Sequence, residues 1–452
     1  MRTHRLISLL PAIIITTLFF SFSAMAVEAS IKDDAYHYMH SGIDDQLYNE
    51  WWYFNAVSND TNLRVTYLLS DPENLTGMRK FQVMAVIVQD DKAPVIGIHQ
   101  GRGIGGDRNS LNLDIDQSGI SSQEEPSLKV WGAVDDIVAS TPIRWDLEYQ
   151  PAVAPWFGIP VQMHIGHSKG DWMKWLVYMP SANVTGTVTV ANRTFDISGV
   201  GYHDHNWGRF VFNDPKWNFA QVSKPQDGFS LVVGDAWGEQ RNTVLGLTSA
   251  GKPIKFTKKQ IDLNYTDFAL DPQTSRTYPI AYKVTADNGE YLLNLNITVR
   301  KNVPLLVEYP SPKPSYVIFS QISDFQGTLK SKTGAEYGFD EIGFSEYTTH
   351  RLHPIFGKIN DSEGKDMGIS NAGLAIVATN ERTGQTKKAD PSSQGWFSID
   401  ASYADYLTNT SAPWVADGDR VRLSARNALG KENSTEILIN LTADRQEATI
   451  NL

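Results

Sequence analysis

Nowhere along its 452 residues does this chain hold an apolar repeat of helical period, while short runs of β-branched and aromatic residues recur throughout. RVTYLLS at Arg64–Ser70, FQVMAVIVQ at Phe81–Gln89, WDLEY at Trp145–Tyr149, TVTV within Thr185–Val190 and the run Ser230–Gly234 are each bounded by Gly, Pro, Asn or Asp. Side chains of this kind pack well on a pleated, half-buried surface, and those boundary residues turn the chain. Tyr291–Val299 alternates Leu and Ile against Asn and Thr, the period of a strand with one buried face. The prediction is an all-β chain of sandwich or barrel type. At this length one core does not suffice, and two or three domains are expected.

The N-terminus predicts export. Arg2 and Arg5 precede a nearly unbroken apolar run, Leu6–Phe22, which Ala24-Met25-Ala26 closes. A basic head, a short apolar run and a small-x-small site are the parts of a secretory signal peptide over residues 1–26. As a membrane anchor the run is at the short end for spanning. Cleavage removes two positive charges, taking the net charge from −11 to −13. An acidic surface repels nucleic acid and anionic membrane. With no cysteine the exported chain is held by burial alone, which suits an extracytoplasmic envelope or secreted protein. Asn-x-Ser/Thr occurs at Asn59, Asn74, Asn183, Asn192, Asn264, Asn296, Asn360, Asn409, Asn433 and Asn440. Chance gives about four. Glycosylation and a Thr-rich β protein with Asn-rich turns both account for the excess.

Two aromatic clusters mark the first 350 residues. One is Glu50-Trp51-Trp52-Tyr53-Phe54; the other is Gly199 to Gly208, GVGYHDHNWG, followed by Trp217-Asn218-Phe219. On extended backbone His203 and His205 share one face, while Tyr202, Asp204 and Asn206 share the other. One set of aromatic rings can therefore line a cavity while the other packs elsewhere. Gly-x-Gly permits a bend or a close backbone approach. Other patterns carry less. Gly101 to Gly106 fits G-x-G-x-x-G, but no helical run follows to receive a pyrophosphate. His203-x-His205 and His164-x-x-His167 bind metal only if three or four ligands converge, and no metal is expected. No Gly-x-Ser-x-Gly elbow is present.

Glu50-Trp51-Trp52-Tyr53, with Gly-Tyr-His-Asp-His-Asn-Trp-Gly at 201–208, resembles the lipocalin-like carotenoid 1,2-hydratase family. That family is also called hydroxyneurosporene synthase or AttH-like, and fungal decalin-forming Diels-Alderases are distant cousins. The resemblance covers residues 33–350, and Gly338 to Tyr347 resembles the closing strand of a second barrel. It implies two lipocalin-like β-barrels with an apolar ligand in or between them. Family hydratases protonate an isolated C=C bond and let water add to the cation. That chemistry needs a carboxylic acid kept protonated by an apolar pocket, with aromatic faces for the cation. Asp204, His205 and Trp207 match the motif. Where the hydratases carry Tyr-x-Asp, this chain has Val233-Gly234-Asp235, so the acid is present and the tyrosine is not.

From Ile355 onward the pattern shifts to short alternating strands with no ionisable cluster, resembling Ig-like or transthyretin-like sandwiches. The expected order is a signal peptide (1–26), a first barrel (30–222), a second barrel (223–352) and an Ig-like β-sandwich (355–452). The expected function is binding of a polyprenoid or fatty-acid-like ligand, with proton-initiated hydration, cyclisation or isomerisation and no cofactor. Asp204 or Asp235 would be the acid and His205 its orienting partner. Glu50, Trp51, Trp52, Tyr53, Tyr202, His203, Trp207 and Trp217 would contact ligand. Each has a structural alternative: Asp204 and His205 could pin a turn, Glu50 could pair with a buried Arg, and the aromatic residues could be core. A non-catalytic envelope lipid carrier, perhaps an export accessory, is the rival reading. A barrel filled by its own side chains is the third.

Overall fold

The computed structural model describes residues 29–39, 48–58, 61–72, 79–89, 92–122, 126–165, 172–210, 216–237, 241–271, 276–307, 316–350, 354–361, 375–389, 396–400, 414–427, 429–440 and 446–452. The expected signal peptide, His167 and the sequons at Asn59, Asn74 and Asn409 lie outside these residues. As expected, the chain is all-β. Two short 3-10 turns, Pro225–Asp227 and Lys258–Gln260, are its sole helical pieces among the described residues.

The first large sheet holds twelve strands. They are β1 (Tyr48–Ser58), β2 (Asn62–Ser70), β3 (Lys80–Val88), β4 (Val95–Gln100), β5 (Gly105–Gly106) and β6 (Asn112–Ile115). Then come β7 (Ser118–Ser121), β8 (Leu128–Asp136), β9 (Pro142–Pro151), β10 (Trp156–Met163), β11 (Trp172–Val190) and β12 (Arg193–Arg209). Pairing runs β11-β12-β1-β2-β3-β4-β8, and β9 pairs with both β8 and β11, so these eight strands close into a ring. Strand β11 serves β10 with its first half and β9 with its second. Its register shifts around Met179, beside Pro180, which has no amide hydrogen for a ladder.

Alternation decides the contents of the ring. Trp52 and Phe54 of β1, Val65 and Tyr67 of β2, and Trp145, Leu147 and Tyr149 of β9 point inward and are fully or nearly fully buried. Each such side chain contributes about 1.5–3 kcal/mol. Their polar tips are matched: Tyr67 OH donates to the Trp131 carbonyl at 2.7 Å, and Tyr149 OH donates to that of Asn55 at 3.2 Å. The ring is therefore filled by its own side chains.

The second large sheet has nine strands. They are β13 (Lys216–Lys224), β14 (Phe229–Trp237), β15 (Arg241–Ser249), β16 (Lys252–Lys255) and β17 (Ile261–Asp271). The rest are β18 (Arg276–Asp287), β19 (Tyr291–Val307), β20 (Tyr316–Ser331) and β21 (Glu336–His350). The order β16-β15-β14-β13-β21-β20-β19-β18-β17 curls around Val222, Phe229, Leu231, Val233, Tyr282 and Phe325. The last strand of the first sheet ends at Arg209, and β13 pairs with β14 and β21. The aromatic run Trp217–Phe219 belongs to the second sheet.

The sheets meet by their outer faces. Val86 and Val88 of β3 pack with Val303, Leu305, Ile318 and Phe344. The Trp175 ring lies on Gly234, where a Cβ would collide with it, and Trp156 lies likewise on Gly246. Arg64 Nη1 reaches Glu346 Oε2 at 2.7 Å, and Gln221 Nε2 donates to Asn55 Oδ1 at 3.0 Å.

After residue 354 two small sheets share a core of Ile355, Ile359, Ile376, Phe397, Trp414, Val421 and Leu423. This region does hold an ionisable cluster. Asp419 accepts from both Arg382 Nε (2.6 Å) and Nη2 (2.8 Å), from Asn380 Nδ2 (2.8 Å) and from the Ala416 amide (2.8 Å). These donors hold its carboxyl well below the usual range. It latches a turn.

Candidate functional site

The second aromatic motif lies on β12, between β1 and β11, and the alternation of a strand splits it in two. Tyr202, Asp204 and Asn206 face outward, toward the second sheet. Asp204 Oδ2 accepts from Tyr202 OH at 2.7 Å and from Trp175 Nε1 at 2.9 Å; Oδ1 accepts from Asn206 Nδ2 at 2.9 Å. Burial pushes the carboxyl up to about 6, against the downward pull of the Tyr202 and Trp175 hydrogen bonds.

In front of Asp204 lies a cleft of about 90 Å3 between the sheets, well above the roughly 10–15 Å3 that one water requires. Trp51, Tyr53, Trp175 and Met173 form the wall from the first sheet; Trp217, Phe219, Ala236 and Val244 form the other. Glu346 lies on the second wall, accepting from Trp217 Nε1 at 2.7 Å through Oε1 and paired with Arg64 through Oε2. Arg64 stands 5.3 Å over the Tyr53 ring.

The other half of the motif faces into the ring. His203 Nδ1 lies 2.9 Å from the Tyr53 carbonyl, which only accepts, so Nδ1 carries a hydrogen. His203 Nε2 faces Asp34 Oδ2 at 2.9 Å, and His203 stacks on Phe54. His205 Nε2 faces Glu50 Oε1 at 3.0 Å, its Nδ1 lies 3.5 Å from Asp34 Oδ1, and its ring stacks on Trp52. Glu50 also accepts from the backbone amides of His37 (2.7 Å) and Tyr38 (3.0 Å) and from Tyr48 OH (2.9 Å). These bonds with the histidines hold Glu50 down at about 2 against desolvation, lower Asp34 and raise His205. The network ties segment 33–38 across one end of the ring, where Trp52 Nε1 donates to the Asp34 carbonyl at 2.9 Å.

Several sequence expectations are corrected by this split. His205 does not orient Asp204; Trp175, Tyr202 and Asn206 do. Asp235 borders the cleft, yet it alternates with Leu231 and Val233 toward the inner face of the second sheet. It accepts from Arg241 Nε and Nη2 and from Thr243 Oγ1 at 2.7–3.0 Å, so it serves as an ion-pair partner. Glu50, expected to contact ligand, is a buried carboxylate paired with His205 and His37, close to the alternative of a buried ion pair but with histidines in place of an arginine. Trp52 and His203 lie inside the ring, and Trp207 stacks on His37 at 3.9 Å. Trp51, Tyr53 and Trp217 line the cleft, and Tyr202 reaches it through Asp204. His37, Glu50 and His205 hold atoms of metal-ligand type within 4.8 Å of one another. Glu50 Oε1 already serves the His37 amide and His205, so the trio is read as part of the ion network.

Sequence reasoning gave no role to Glu346, Arg64, Trp175 or Met173. Glu346 sat in the quoted Gly338–Tyr347 run, but its role depends on which strand faces it.

No family model matches the chain, and no curated protein matches it. Solved structures similar to it include a candidate AttH from Nitrosomonas europaea, at 13% identity and TM-score 0.48, covering 75% of this chain and 98% of that one. Kievitone hydratase from Nectria haematococca matches at 13% identity and TM-score 0.47, covering 68% and 92%. CghA matches at 11% identity and TM-score 0.46, covering 71% and 95%. The first of these carries the AttH name of the family that the aromatic motifs resemble. Likeness at this level carries no argument about what the chain binds.

Proposed function

We propose that this chain holds an apolar ligand in the cleft between its two large sheets and that Asp204 protonates a C=C bond of that ligand. One observation carries the reading: a carboxyl titrating near 6 is buried at the edge of an aromatic-walled cleft with its hydrogen-bond donors fixed. Oδ2 is occupied by two donors and Oδ1 by one, so Oδ1 is the atom with room for a transferable proton. Protonation leaves a tertiary cation, which the faces of Trp51, Tyr53 and Phe219 stabilise. Water addition, ring closure or proton loss then gives hydration, cyclisation or isomerisation, and none of these steps calls for a cofactor. The ligand is read as a polyprenoid or another lipid with an isolated double bond.

The closed ring and the curled second sheet support a reading as two lipocalin-like barrels, followed by an Ig-like sandwich from residue 355. Export rests on the N-terminal sequence, and N-terminal sequencing of the secreted protein would place the cut after Ala26.

Organic extraction of purified protein, followed by mass spectrometry of the released lipids, tests the function. Wild type is expected to yield a hydrated or rearranged lipid and Asp204→Asn the unmodified one. The same unmodified lipid from both would make the protein a carrier. No lipid from either would remove the ligand reading.

A further inference from the structure

The cleft carries a second carboxylate whose environment is opposite to that of Asp204. Asp204 comes from β12 on the first wall; Glu346 comes from β21 on the second, and its charge is among those felt at Asp204. Glu346 is 7% exposed and ion-paired with the buried Arg64 at 2.7 Å. Among the described residues each Glu346 oxygen has one partner, Trp217 Nε1 on Oε1 and Arg64 on Oε2, which leaves a lone pair on each. A carboxyl held by neutral donors on one wall and a carboxylate ion-paired to an arginine on the other are the arrangement of an acid and its complementary base.

We propose that Glu346 is the proton acceptor of the reaction that Asp204 begins, an inference that rests on the reading of Asp204 as acid. The O–H bond of Asp204 breaks as the alkene π pair forms a new C–H bond, leaving a carboxylate and a tertiary cation. Glu346 then takes a proton from the carbon next to the cation, whose C–H pair becomes a new C=C bond. In the hydration variant it takes the proton of the water whose oxygen pair forms the C–O bond. A tertiary cation is so strong an acid that a carboxylate suffices to deprotonate it. Return of the proton to Asp204 itself would only reverse the first step, so an acceptor on the opposite wall makes the reaction directional. When the ligand leaves, Glu346 gives its proton to water and Asp204 takes one up, so both carboxyls return to their starting states.

The test uses full-length protein and geranylgeraniol, a polyprenol with trisubstituted double bonds, in deuterated buffer. Products are read by mass spectrometry and binding by tryptophan quenching. Glu346→Gln is expected to lower turnover about 100-fold while binding stays within about threefold. That variant leaves Arg64 buried without its partner, so the double variant Arg64→Met with Glu346→Gln is measured beside it. Turnover still reduced about 100-fold in the double variant supports the acceptor role. Recovery to the wild-type rate means that Glu346 only completes an ion pair and overturns the inference alone. Absence of any deuterated product from wild type overturns the Asp204 reading and this inference with it.

Discussion

Asp204 and Glu50 are buried carboxyls one strand apart, and their partners drive them in opposite directions. Desolvation of Asp204 outweighs its neutral donors Tyr202 and Trp175, so its carboxyl rises from 3.8 to about 6. The folded state then favours the protonated form. Below pH 3.8 the unfolded chain is protonated too and nothing is lost; as pH rises toward 6 the unfolded carboxyl ionises freely and the folded one does not. Stability should fall by about 3 kcal/mol across that interval. Asp204→Asn removes the titration, with Asn206 turning its carboxamide to accept. Urea denaturation at pH 4 and pH 8 should show the variant gaining about 2–3 kcal/mol over wild type at the higher pH only. An equal pH dependence in both proteins would contradict the buried-acid assignment. Glu50 has the opposite sign: with His205 and His37 beside it the carboxyl drops from 4.5 to about 2, so its contribution is present above pH 4.5 and lost as pH falls toward 2.

At the scale of elements, β12 divides its labour by alternation. Its His203 and His205 fix the segment that closes the ring, and its Asp204 and Asn206 furnish the cleft. The element opposite, β14, works by absence. Gly234 leaves the space that the Trp175 ring occupies, and Trp175 in turn holds Asp204. Gly234→Ala should push that ring off the sheet, destabilising the protein by about 1–3 kcal/mol. It should also weaken probe binding in the cleft, measured by tryptophan quenching with geranylgeraniol, whereas Gly103→Ala, where a Cβ meets nothing, should leave binding unchanged. Equal binding by all three proteins would show that the Trp175 wall is not part of the ligand site. Strand existence along β2, β3, β9 and β14 was legible in the sequence because period two is a local property. The exchange of β11 from β10 to β9 was not, since it depends on which strands arrive beside it.

For the whole molecule, the site belongs to neither large sheet alone. Its lining runs from Trp51 to Glu346, and among the described residues none after 350 enters it. A chain ending at residue 350 should bind the same probe within about twofold of the full-length affinity. A larger loss would give the C-terminal sheets a part in the cleft. The compositional reading of an all-β, cysteine-free chain held by burial needed no tertiary information. The motif Tyr202–Trp207 was equally visible, and alternation alone sorted its residues onto two faces. What the sequence could not decide was which face borders a cleft, because both faces are buried and both carry carboxyls. Only the docking of the second sheet onto the outer face of β1 and β12 settled that, bringing Glu346 to Arg64 across some 280 positions of chain. Local periodicity fixes where a side chain points, and only the packing of distant strands fixes what it points at.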